Sequence, residues 1–85
     1  MSEMKHGEGD WTVSTTKVFE GWETGINRPE NGVTEALNEA GDPIWGYKYK
    51  WRIVEGYDDV ALAFRGHQKW VKLMQDDPHR EMEVI

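Results

Sequence analysis

The chain has 85 residues, a formal net charge of −6, no cysteine and five tryptophans. That length makes one small domain, marginal by itself and helped by self-association. The lack of cysteine excludes disulfides, thiolate chemistry and a cysteine-based zinc site, and the acidic balance argues against a general nucleic-acid binder, which needs clustered Lys and Arg in excess.

Residues 1–9 carry charges and glycines without periodicity and read as a flexible N-terminal arm, leaving 10–85 as a single domain. No apolar signal segment stands in residues 1–10, and no apolar run approaches the roughly 20 residues of a membrane span. An intracellular chain without membrane contact is the expectation.

Trp11, Val13 and Thr15 alternate with Thr12, Ser14 and Thr16, the pattern of a strand over 11–19. After Gly21, Trp22, Thr24 and Ile26 alternate with Glu23 and Gly25, which predicts a second strand hairpinned to the first. Residues 27–43 are punctuated by Arg28-Pro29, Asn31-Gly32 and Gly41-Asp42-Pro43, so they read as a long insert, either a binding element or a mobile loop. Within it, 34–40 is compatible with one or two helical turns, with Thr34 as N-cap and Gly41 as the stop.

Residues 44–57 alternate strictly. Trp45, Tyr47, Tyr49, Trp51 and Ile53 fall on one face of a strand and Gly46, Lys48, Lys50 and Arg52 on the other. A helix follows from Asp58-Asp59, with Asp58 as cap, to about Asp76. On a helical wheel Val60, Ala63, Phe64, His67, Trp70, Val71 and Met74 form the apolar arc, which predicts packing on the aromatic strand face. Residues 80–85 alternate weakly, as a short edge strand or a frayed tail. The resulting fold class is α+β, an antiparallel sheet of three or four strands with one main helix across one face.

Two helix residues stand outside simple amphipathicity. Gly66 costs about 1 kcal/mol relative to Ala in mid-helix and marks the close approach of another backbone, either within the chain or across an interface that includes Leu62, Trp70 and Leu73. His67, inside the apolar arc, is either a hydrogen-bonded half-buried imidazole or a ligand-facing donor.

Catalytic chemistry is not spelled out. The only serines are Ser2 and Ser14, outside any nucleophile-elbow context; His6, His67 and His79 have no metal-ligand spacing; no phosphate-binding glycine loop precedes a helix. Neither a cofactor, a metal nor an enzymatic activity is expected. The chemical asset is a set of cations, Arg28, Lys48, Lys50 and Arg52, which with His67 and nearby rings would suit an anionic ligand; the alternative is a solvated strand face.

The segments Trp22-Glu23-Thr24-Gly25 and Tyr57-Asp58-Asp59, with Ala61, Gly66-His67 and Trp70-Val71, resemble a group of small bacteriophage and prophage proteins over about residues 11–74. The resemblance implies a phage-encoded protein of the host cell cytoplasm, with Gly66 and His67 structural or site-forming. Three functions fit that expectation. The first is a homo-oligomeric binding protein that counters host defence by sequestering an anionic nucleotide. The second is an acidic, protein-directed inhibitor, a nucleic-acid mimic that uses Glu20, Glu23, Glu30, Glu35 and Glu39 to occupy a basic nucleic-acid-binding site of a host defence enzyme, and the third is a structural or virion-associated module.

Overall fold

A computed structural model describes residues 2–37 and 39–85, and of 31–37 and 43–49 it describes the backbone alone. Strands β1 (Glu3–Glu8), β2 (Trp11–Val18), β3 (Gly21–Leu37) and β4 (Pro43–Tyr57) form one antiparallel sheet in sequence order, and helix α1 (Val60–Asp76) lies across one face. The fold class is the expected α+β.

The core follows from the alternation. Trp11, Val13 and Thr15 on β2 and Trp22, Thr24 and Ile26 on β3 point to the helix and are buried, joined by Val54, Ala63, His67 and Met74. Successive side chains on a strand face opposite ways, so each strand delivers one such row. The β2–β3 turn closes at Gly21, whose φ of 146° and position against the Tyr57 carbonyl leave no room for a side chain.

Four expectations are corrected. Residues 3–8 are an edge strand instead of a flexible arm: Met4 pairs with Thr15 and His6 with Val13, and both are half-buried on the helix side. The insert at 27–43 is largely strand. The alternating strand that becomes β4 carries backbone groups needing partners along its whole length, and β3 supplies them as far as Val33↔Trp45 and Leu37↔Pro43. Residues 34–37 are therefore extended, not helical. Beyond the Thr12↔Asn27 pair β3 bonds to β4 alone, so Pro29 lies where its missing N–H is tolerated.

The third correction concerns the faces of β4. Thr24 pairs with Glu55 and Gly25 with Ile53, so Val54 is an extra residue in a β-bulge. The bulge reverses the alternation. Val54, Glu55 and Tyr57 turn to the helix, whereas Trp51 and Ile53 lie against Gly25 on the opposite face, near Glu3, Ser14 and Glu23. The helix does not pack on Trp51 and Ile53, the described part of the aromatic stripe; the side chains of Trp45, Tyr47 and Tyr49 lie outside the described residues.

The fourth lies in the helix. Ala63, Gly66, His67 and Met74 are its buried residues, while Phe64 is 52% exposed. The seam is shifted because the contact is made through the small residues Ala63 and Gly66, which bring the helix close to the sheet. Its N-cap is Asp59, one residue after the expected Asp58, with Oδ1 accepting from the Leu62 N–H at 2.9 Å. The C-terminal segment neither frays nor pairs as a regular strand: Ile85 N–H donates to the Ile53 carbonyl at 3.0 Å and Met82 packs on the core. No helix among the described residues is long and apolar enough to cross a membrane.

Candidate functional site

Threonines are favoured on strands because β-branched side chains suit a pleated surface. Here the cross-strand pair Thr15 and Thr24 also puts two hydroxyls beneath the helix, 2.6 Å apart and fully buried. Neither hydroxyl stands alone. His67 Nδ1 lies 2.9 Å from Thr15 Oγ1, and Tyr57 Oη lies 3.0 Å from Thr24 Oγ1 and 2.9 Å from Glu55 Oε1.

The donor inventory gives this chain one direction. Glu55 Oε1 also accepts from Lys69 Nζ at 2.6 Å and Trp70 Nε1 at 2.9 Å, the environment of an ionised carboxylate that can only accept. Partial burial by itself would raise the Glu55 carboxyl, but these bonds and the Lys69 charge hold it below the ordinary carboxylate value. Tyr57 therefore gives its one proton to Glu55, Thr24 donates to Tyr57, Thr15 donates to Thr24, and His67 Nδ1–H donates to Thr15. The direction settles the tautomer: neutral His67 keeps its lone pair on Nε2. Burial, and secondarily the neighbouring His6, lower its proton affinity.

Both ends of the relay reach the surface. At one end a groove of about 410 Å³ is lined by Glu55, Tyr57, Asp58, Leu62, Arg65, Gly66 and Lys69. At the other, between β1 and the C-terminal half of α1, a groove of about 400 Å³ is lined by Lys5, His6, His67, Gln68, Val71, Lys72 and Gln75. Glu8 stands beside the second, where its Oε2 meets His6 Nε2 at 3.2 Å and accepts from Gln75 Nε2 at 2.9 Å. Among the described residues no cluster of His, Cys, Asp and Glu is placed to hold a metal ion.

The expected basic positions gather elsewhere. Arg28 pairs directly with Lys50, and Arg52 opposite Ile26 adjoins them. The three surround Glu30, whose carboxyl is held low first by its bond to Arg52 and then by the charges of Arg52, Lys50 and Arg28. Arg52 is engaged in a two-pronged pair, Nε and Nη2 each 2.7 Å from a Glu30 oxygen. Arg28 donates to the Pro78 carbonyl at 3.0 Å, a neutral partner. Lys48 is opposite Glu30 in the register, but its side chain lies outside the described residues. His67 belongs to a different groove, so the structure divides the expected ligand set in two.

Of the expected interface residues, Gly66 is occupied from within: a Cβ there would collide with the Tyr57 ring and hydroxyl. Trp70 donates to Glu55 and packs on the core, while Leu62 is 45% exposed and Leu73 half-buried. The glycine thus answers to an intramolecular contact. Thr15, Thr24, Tyr57 and Glu55 were not expected in any site. Their only sequence signal was a polar residue at each inward-facing strand position. Comparison with protein-family models, curated proteins and solved structures finds no match to this chain.

Proposed function

We propose that this chain is a non-enzymatic binding protein of phage type that counters host antiviral defence by sequestering an anionic nucleotide at the base of the β3–β4 ribbon. The observation that supports this reading is the grouping of Arg28, Lys50 and Arg52 around the Glu30 carboxylate in an otherwise acidic chain. Cations on adjoining strand positions suit phosphate groups, which Arg and Lys hold by charge-assisted hydrogen bonds. Trp51 lies on the other face, so base stacking is not part of the reading.

Isothermal titration with a panel of cyclic mono- and dinucleotides at low and high salt tests it. Binding that weakens with salt and is lost in Lys50→Glu is the expected result. Equal affinity in the variant, or no binding by any nucleotide, overturns it. A second reading, an acidic protein-directed inhibitor, draws on the opposite sheet face, where Glu3 and Glu23 flank Trp51 and Ile53. That reading requires co-purification of a host protein that survives Lys50→Glu.

A further inference from the structure

We propose that the groove between β1 and the C-terminal half of α1 is a second, separate binding site, for a small phosphate-class anion held between Lys72 and the ring of His67. The first ground is composition. Acidic residues outnumber basic ones by 16 to 10 in the chain, yet no carboxylate lines this groove, and every polar side chain that does line it carries an N–H donor in at least one protonation state. Its size is that of small-ligand sites.

The second ground is the way His67 is held. Its Nδ1–H is tied inward to Thr15, and the ordered relay to Glu55 fixes that proton in place. The ring therefore titrates only at Nε2. Neutral, it accepts a hydrogen bond from the P–OH of a monoanionic phosphate; protonated, it becomes a second donor beside Lys72. The groups around it are His6 on β1, the neutral Thr15 on β2, and Lys72 on its own helix, with Glu8 at the rim engaged by His6 and Gln75 and the Lys5 side chain directed to the other face of the edge strand. His6 opposes protonation of His67, and an anion between the two imidazoles cancels that opposition. Ligand binding and proton uptake at His67 are coupled, and affinity rises as pH falls toward the imidazole range.

The test is an imidazole nitrogen–proton NMR titration of the full chain with inorganic phosphate, against sodium chloride of equal ionic strength, at several pH values. Phosphate is expected to move the His67 Nε2 resonance and raise its titration midpoint, with binding about threefold to tenfold weaker in Lys72→Gln and unchanged in Lys50→Glu. Sulfate, which offers no proton in this range, should raise the midpoint as well while binding more weakly above it. A His67 resonance indifferent to phosphate, or a response untouched by Lys72→Gln, overturns the proposal. Because Lys50→Glu spares this site and removes the ribbon site, failure of one reading is distinguishable from failure of the other.

Discussion

The Tyr57 ring occupies the space that a side chain at position 66 would need, so the hydroxyl and ring edge rest against the bare backbone of Gly66. The ring is also tied at its tip, to Thr24 at 3.0 Å and to Glu55 at 2.9 Å. A mid-helix glycine, unfavourable by about 1 kcal/mol, is kept because it admits this aromatic wedge. Gly66→Ala should therefore destabilise the protein by about 1–3 kcal/mol through overpacking, despite the better helix former. In a Tyr57→Ala background the same change should become neutral or stabilising. Urea melts of the four variants measure this coupling, and additive effects would contradict the contact.

Burial separates two helix residues that the wheel treats alike. Met74 is fully buried against Trp11, Val13, Ile26 and Val54, whereas Phe64 is 52% exposed. Met74→Ala should cost about 2–5 kcal/mol. Phe64→Ala should change the midpoint of chemical unfolding little, within about 0.5 kcal/mol, as substitutions away from core features do. A large loss in the Phe64 variant would mean that this ring is covered in solution.

The inward rows on β2 and β3 were legible because period-two alternation of Trp, Val, Thr and Ile has one physical solution on a half-buried sheet. The faces of β4 were not. One extra residue, Val54, inverts the alternation, and a bulge leaves no signature in a run that reads evenly on both sides of it. β1 was hidden because only Met4 and His6 mark its inner face, and the ribbon because Pro29 and Asn31-Gly32 imitate turn chemistry where β3 has only one neighbour. His67 was legible as an anomaly. Its partner was not, since Thr15 is 52 residues away and looks like any strand threonine.

The relay predicts an acid-side dependence of stability with a distinct window. His67 has its proton affinity lowered in the folded protein from an ordinary value of 6.5, so the unfolded chain binds the proton more readily. Stability is full above pH 6.5 and declines as pH falls below it, levelling once the folded imidazole is also protonated. Glu30 and Glu55, held below 4.5, contribute losses only at lower pH. Replacing the imidazole in His67→Phe should flatten the upper window and leave the lower one. Thr15→Val, which removes the acceptor for Nδ1–H, should cost about 1–3 kcal/mol at neutral pH. Chemical denaturation from pH 4 to 8 measures both.

The last prediction concerns the other end of the pH scale. Burial first, and the Glu55 carboxylate beside it, push the Tyr57 hydroxyl from 10.0 up to about 12. The folded state thus keeps this proton where the unfolded chain releases it, and the stabilisation is present below pH 10 and lost as pH rises from 10 toward 12. Tyrosinate absorbance should show one late-ionising ring in the wild type, missing in Tyr57→Phe. Glu55→Gln should lower that midpoint, because it removes the adjacent charge while leaving most of the burial. If Tyr57 ionises together with the other tyrosines and Glu55→Gln changes nothing, its proton is not committed to Glu55, and the direction of the whole chain to His67 falls with it.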